Sequence, residues 1–459
     1  MKKIKKYYRI EFQLTSPLSV GSGEDIQTDR DILKDSRGIP YIPGTALAGV
    51  YRRLFIDEIA TCYFGPELTK EKIQDSSKEG ENLLTDSDII TYDAYVKDPK
   101  KICVTKRDMA ALDEYKAPVK GSKFDFQILE PGGVFVTYIE QNIDDKYGRP
   151  VIDEIARAWM AGDITIGGKT SRGYGHTQGI SVKTALFHLD CATELDRWLS
   201  FEMYDGEDSN WITPKSINEY PLYLAKNDRC TIRLHLKQKG GISIRNYTTE
   251  PEEPDYRQLT SARLQDEPGN TGFVGENEGT PVIPGTAWAG AFRAQMGRLD
   301  PEFRKGKKAA ELFFGKAKAK SEDSRKSRVS FSESRITGGK WVLTTRTAID
   351  RFTGGALSGA LYTEKTYCSG STVLTITCDF GGRDSVNKKE RKKFARVLAA
   401  AILDLHNGYL SVGGLTAVGR GLFEVERISV NDRVDLSTEK DQGKFYDALV
   451  QAVAGEEEQ

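Results

Sequence analysis

Residues Gly167–Gly175 read GGKTSRGYG and residues Gly413–Gly421 read GGLTAVGRG, with glycine at the same four relative places. Adjacent glycines let backbone N–H groups approach an anion closely, which is the chemistry of phosphate-binding nests. Lys169 and Arg172 in the first loop and Arg420 in the second add positive charge. Gly167, Gly168 and Gly173, with Gly413, Gly414 and Gly419, are therefore candidate phosphate contacts. One such loop is as well explained by a tight hairpin without a ligand; its repetition beside basic residues favours the anion.

A second motif is also duplicated. PYIPGTALAGVYRR at 40–53 matches PVIPGTAWAGAFRA at 281–294 at an offset of 241, and the glycine loops match at an offset of 246. Two motifs in the same order at nearly one offset mean that the chain contains one module twice. The polar, turn-rich stretch 205–228 is the expected connection, giving modules at 1–225 and 226–459.

Each copy opens with an alternating strand, Tyr8, Ile10, Phe12 and Leu14 in the first and Cys230, Ile232, Leu234 and Leu236 in the second, so one face of each is expected to be buried. After Ile-Pro-Gly a helix is expected, with Thr45 or Thr286 as N-cap. A small-residue stripe follows, Ala46/Ala48/Gly49 or Ala287/Ala289/Gly290, suited to close backbone approach. Gly44, Thr45 and Arg52, with Gly285, Thr286 and Arg293, are further candidate contacts; an arginine here also fits a plain solvated face. Amphipathic helices at 152–162 and 394–406 precede the two glycine loops. The alternation predicts an α+β fold of two modules, most simply ferredoxin-like, each enlarged by insertions.

At 459 residues the chain exceeds one ordinary core, which agrees with two modules. No apolar run approaches the roughly 18 residues of a membrane span, so no membrane partner is expected. MKKIKKYYRIEF runs into an alternating strand rather than an apolar stretch, and a cytoplasmic location is expected. The six cysteines and four histidines show no metal-ligand spacing. With a net charge of -1, any nucleic-acid surface must be local. The most basic tract, Arg304–Arg328, suits either a nucleic-acid backbone or a solvated loop.

The repeated Ile-Pro-Gly-Thr-Ala-x-Ala-Gly followed by Gly-Gly-x4-Gly-x-Gly resembles the RAMP superfamily, and within it the Cas7-like subunits of type III CRISPR complexes. Two modules in one chain resemble the fused double subunits of type III-D-like systems. The resemblance implies an RRM-like core, crRNA held along a palm surface, a thumb hairpin that interrupts the guide–target duplex, and assembly into a helical backbone. The partners it implies are target single-stranded RNA and other Cas7-like, Cas5-like and Cas10-type subunits. Arg107 in VTKRDMA and Arg346 in TTRTAID correspond to a thumb-adjacent segment and are expected near RNA. No aromatic signature of a standard RRM is present, so recognition of the RNA backbone rather than base stacking is expected.

The resemblance also points to a loop aspartate for metal-dependent cleavage of target RNA. TDRDIL and PDYRQL, each containing Asp-x3-Leu, place Asp29 and Asp255 there as catalytic and metal-holding candidates for Mg2+ or Mn2+, with Asp31 as an alternative to Asp29. RNA carries its own nucleophile, so one carboxylate and correct positioning can suffice. The second copy has 15 additional residues between aspartate and anchor. Aspartates in such polar loops also commonly form turns. A catalytically inert crRNA-binding subunit therefore stands beside the nuclease. A guide-processing ribonuclease of the Cas6 kind fits less well, because neither glycine loop offers a convincing histidine and His176 has Leu422 as its counterpart.

Overall fold

A computed structural model describes residues 4–23, 30–66, 87–110, 119–143, 151–214, 228–247, 254–261, 264–267, 270–273, 279–316, 325–381, 386–432, 434–437 and 442–455. In the first half the main elements are β1 (Ile4–Leu14), β2 (Tyr41–Ile42), α1 (Gly44–Arg52), α2 (Asp57–Phe64), β3 (Ile89–Thr91), β4 (Ala94–Val96), β5 (Val104–Met109), β6 (Phe124–Leu129), β7 (Val134–Ile143), α3 (Ile152–Ala161), β8 (Thr177–His188) and α4 (Ala192–Leu199). The sheet runs β8-β1-β7-β4-β2, with β3 also on β7. Strand, helix, two strands, helix, strand with the first strand central is the ferredoxin-like arrangement.

The second half repeats it with β9 (Arg229–Lys239), β10 (Tyr256–Gln258), β11 (Thr280–Ile283), α5 (Gly285–Leu299), α6 (Lys308–Phe314), β12 (Val329–Phe331), β13 (Ser334–Thr337), β14 (Lys340–Ile349), β15 (Ala356–Cys368), β16 (Ser371–Asp379), α7 (Lys388–Asn407), β17 (Leu422–Val430), β18 (Val434–Ser437) and α8 (Gln442–Ala454). Its sheet runs β11-β13-β16-β9-β17-β18, with β12 also on β16. The duplicated sequence thus gives duplicated topology.

The alternating faces behave as expected. Ile10 and Phe12 are fully buried with Tyr8 and Leu14 in the first core, and Cys230, Ile232, Leu234 and Leu236 in the second. Phe12 packs on Trp159 of α3 with ring centroids 4.1 Å apart, while Trp288 of α5 packs on Phe423 of β17 at 5.3 Å. Such aromatic burial is a large part of what fixes helix against sheet.

Several local expectations are corrected. The helix N-caps are Pro43 and Pro284, with no side-chain cap, and Thr45 and Thr286 lie inside the first turn. The proline carbonyls accept the first helical bonds, from Ala46 and Ala287 at 2.9 Å each, so no hydroxyl is required. Close backbone approach falls on Gly44 and Gly285, whereas Gly49 and Gly290 have no neighbour within 4 Å of a built Cβ. Helix α7 begins six residues before the apolar periodicity does, because Asn387 and Glu390 form a capping box ahead of a polar first turn. The basic tract contains α6, whose Phe313 stacks on Phe394 at 4.2 Å.

Part of the expected connection is folded. Segment 192–212 lies over the sheet face of the first module opposite α1 and α3, where Trp211, Trp198 and Phe201 cover Tyr7, Tyr138 and Phe187. That face, which a standard RRM uses for base stacking, is closed in this module. The remainder of the connection, 215–227, lies outside the described residues.

Candidate nucleic-acid interface

The two glycine loops share left-handed backbone conformation at the same four positions. Gly167, Lys169, Gly173 and Gly175 have φ of 76°, 60°, 81° and 77°, and Gly413, Leu415, Gly419 and Gly421 have 87°, 55°, 82° and 74°. Positive φ is strained for any residue with a Cβ, so Lys169 and Leu415 are held by what surrounds them. A Cβ on Gly175 would lie 1.9 Å from the Ile166 carbonyl oxygen, and one on Gly421 would lie 1.9 Å from that of Val412.

Several of the loop amides are committed within the protein. Gly168 N–H donates to the Ser19 carbonyl at 2.9 Å and Gly414 N–H to that of Ser243 at 2.7 Å. Gly175 and Gly421 donate to Pro17 and Gly241 at 2.8 and 2.9 Å, and Gly173 and Gly419 to Thr170 and Thr416 within each loop. These bonds fix each loop to the segment beside it, so these amides are already occupied.

The loop side chains differ between the copies. In the first loop Lys169 lies over the rings of Phe124 and Phe126. Burial, with Arg172 and then Arg30 nearby, brings its ammonium down to about 7. Arg30 was not among the expected contacts; its guanidinium reaches within 3.9 Å of a Cβ built on Gly168. Arg30 and Arg172 are exposed, and with Lys169 they form a cationic trio suited to phosphate oxygens. Nothing in the loop motif marks Arg30, because the short ladder Gly21–Gly23 with Asp31–Ile32 is what carries it alongside. In the second loop Leu415 and Val418 replace Lys169 and Arg172.

Other expected contacts are engaged elsewhere. Arg52 donates to the carbonyls of Gly65 and Ala60 at the end of α2, and Arg293 lies over the Phe314 ring at the end of α6. Both arginines thus brace the following helix. Arg107 is only 4% exposed and sits at the junction between the modules, 3.1 Å from Glu130 and 3.6 Å from Glu333. Ser261 of the second module donates to Glu130 at 2.6 Å, completing a network across the junction. Neither Glu130 nor Glu333 carries a motif, so the sequence offered no sign of it.

Arg346 lies half-buried on β14 of the β14–β15 hairpin. This hairpin stands out from the second sheet with Leu343, Ile349, Leu361 and tip residue Phe352 exposed, Phe352 by 90%. Asp350 accepts the Phe352 and Thr353 amides at 2.8 Å each and shapes the tip. The shorter β5–β6 hairpin of the first module is anchored instead, with Phe126 and Ile128 fully buried.

Of the two candidate carboxylates, Asp29 lies outside the described residues. Asp255 is exposed at the base of the long hairpin, where one oxygen accepts the Thr363 N–H at 2.6 Å and its hydroxyl at 3.1 Å. Those bonds hold its carboxyl below the usual range. Asp31 is buried on its short strand, at 8% exposure. Among the described residues no three His, Cys, Asp or Glu side chains converge to hold a metal.

A family model described as the RAMP superfamily matches residues 11–177 and 240–424. Among solved structures, a chain of "Cryo-EM structure of the Type III-B Cmr-beta bound to cognate target RNA" is 16% identical, with a TM-score of 0.30. That match covers 39% of this chain and 60% of the other. No curated protein matches.

Proposed function

The chain belongs to the RAMP superfamily, and from that premise we propose that it is a double backbone subunit of a type III CRISPR effector complex, binding crRNA along its surface. The observation that carries this reading is the cationic trio Arg30, Lys169 and Arg172 at a glycine loop whose backbone conformation the second module repeats. A guide must vary in sequence, so a subunit that holds it needs charge for phosphates and no base-reading pocket. The closed sheet face of the first module suits that division of labour. The long β14–β15 hairpin, with its exposed apolar residues, is our candidate for the thumb that the family resemblance implies.

We further propose that target RNA is cut at Asp29 in the first module. There the RNA 2′-hydroxyl would lose its proton and attack the adjacent phosphate, breaking the bond to the 5′-oxygen of the next nucleotide, which leaves as a protonated hydroxyl; the other product is a 2′,3′-cyclic phosphate, and the protein supplies position and charge. For the second module the bonds between Asp255 and Thr363 favour the scaffold reading, since that carboxylate already has a structural role.

The test is target-RNA cleavage by the assembled complex in magnesium and in EDTA, with guide occupancy measured for each variant. Asp29→Ala is expected to remove one set of cuts while guide binding stays intact; Asp255→Asn is expected to leave the cuts unchanged. Loss of guide binding on replacing Lys169 and Arg172 together supports the RNA surface, and unchanged binding refutes it. Unaltered cutting by Asp29→Ala, with guide bound, reduces the chain to an inert scaffold.

A further inference from the structure

Two basic runs far apart in the chain meet on the helix layer of the second module. Arg304, Lys305, Lys307 and Lys308 open the basic tract that the RNA reading leaves without a role, and all are exposed. Lys388, Lys389, Lys392 and Arg396 lie in the first half of α7. Phe394 of α7 brings the runs together, with its ring centroid 6.3 Å from that of Phe303 and 4.2 Å from that of Phe313. Lys393 completes the join by pairing with Asp300 at 3.2 Å.

Much of this charge is unbalanced. Arg391 pairs with Asp228 at 2.9 Å, but among the described residues Lys305, Lys307, Lys308, Lys388 and Lys389 have no ion pair. Like charges held this close repel one another, so the surface favours an anionic occupant. The patch does not belong to the duplicated module, because the matching helix α3 opens with Asp153 and Glu154. Nor does it adjoin the second glycine loop, which follows the other end of α7, roughly 30 Å along the helix.

The place where α8 ends points to the occupant. Helix α8 runs antiparallel to α7: the Tyr446 hydroxyl donates to the Arg396 carbonyl at 3.3 Å, and near the start of α7 Arg391 donates to the Val453 carbonyl at 3.1 Å. Gly455 then turns the chain with a φ of 70°, and a Cβ built on it would stand 2.8 Å from Nη2 of Arg391. Glycine lets the chain leave α8 directly beside that guanidinium. The next residues are Glu456, Glu457 and Glu458, which lie outside the described residues. Such a segment spans up to about 10 Å, and Lys388 lies only about 4.5 Å from Arg391 along the helix axis.

We infer that the segment 456–458 docks on the basic end of α7, pairing with Lys388 and Lys389, and shields this face of the second module from other polyanions. Each exposed pair is weak alone. Tethering adds to them, since a segment joined to Gly455 is held over the patch at an effective concentration on the order of millimolar. The contact is sensitive to salt. It is independent of the RNA reading, because no RNA is needed to form it or to detect it.

Carbodiimide crosslinking of the full chain, read by peptide mass spectrometry, tests the docking. In about 50 mM salt, amide links from Glu456, Glu457 or Glu458 to Lys388 or Lys389 are expected, and in about 1 M salt, where the Debye length is about 3 Å, they are expected to disappear. A mixture of isotope-labelled and unlabelled protein shows whether each link lies within one chain. Heparin affinity tests the shielding. Glu456→Gln, Glu457→Gln and Glu458→Gln together are expected to tighten it about fivefold at low salt, and adding Lys388→Gln with Lys389→Gln is expected to abolish the gain. Both lysines are exposed, and thermal melting checks that each variant folds. No link at low salt, or links only between chains, overturns the docking. Heparin affinity unchanged by the glutamine substitutions overturns the shielding.

Discussion

The Arg107 guanidinium of the first module lies 3.6 Å from the Glu333 carboxylate of the second, and both side chains are almost entirely buried. Glu130 holds the other side of the guanidinium at 3.1 Å. The module junction is thus organised around one cation shared by two acids. Removing one member of such a group strands the others without solvent, which costs far more than the group contributes as a whole.

Arg107→Leu is accordingly expected to destabilise the chain by about 3–5 kcal/mol. Urea unfolding followed by tryptophan fluorescence measures this. Adding Glu333→Gln to that variant is expected to recover part of the loss, since one stranded carboxylate disappears. A loss below about 1 kcal/mol, the range of exposed pairs, contradicts the junction geometry.

The same group sets a pH dependence. Burial pushes the Glu333 carboxyl up to about 7, Arg107 opposing and Glu130 adding to it. Its folded-state value therefore lies above the ordinary glutamate value of 4.5. The native chain keeps a proton that the unfolded chain releases, so this contribution is complete below about 4.5 and is lost as pH rises towards about 7. Subtracting the Glu333→Gln stability curve from that of wild type isolates it. The difference is expected to fall across that window and flatten above it.

Lys169 predicts a pH-dependent RNA affinity. Its ammonium is lowered to about 7 by burial and by Arg172 and Arg30, and a bound phosphate favours the charged form. Affinity for single-stranded RNA, followed by fluorescence anisotropy, is expected to strengthen as pH falls from 8.5 to 6. Lys169→Arg is expected to remove most of that trend, because arginine stays charged. Lys169→Ala is expected to reduce the slope of log affinity against log salt by about 0.7, one phosphate contact on a single strand.

Gly421→Ala places a methyl group 1.9 Å from the Val412 carbonyl at a φ of 74°. The strain of such a backbone is about 1–3 kcal/mol before the clash is relieved. A lower melting temperature is expected, with greater loss of the second module's hydrogen-exchange protection than of the first's. Gly419→Ala has no clash and only the backbone penalty, so it is expected to cost less.

The amino-acid sequence by itself determined that one module is used twice, that each copy is α+β, and which strand faces enter the cores. Those features are periodic or repeated, and period-two burial in Ile10 and Phe12 or Ile232 and Leu234 is a local property of the chain. It also marked the glycine loops, because only glycine supports their backbone cheaply. What those loops do was decided by tertiary structure. The same turn carries Lys169 and Arg172 beside Arg30 in one copy and exposes Val418 in the other, and amides of the two loops donate to Ser19 and Ser243 in segments distant in sequence. Arg107, read as an RNA contact, is buried because Glu130, Glu333 and Ser261 converge on it from segments far apart in sequence. Burial and partnership of a charge depend on which segments meet, and spacing along one chain holds no record of that.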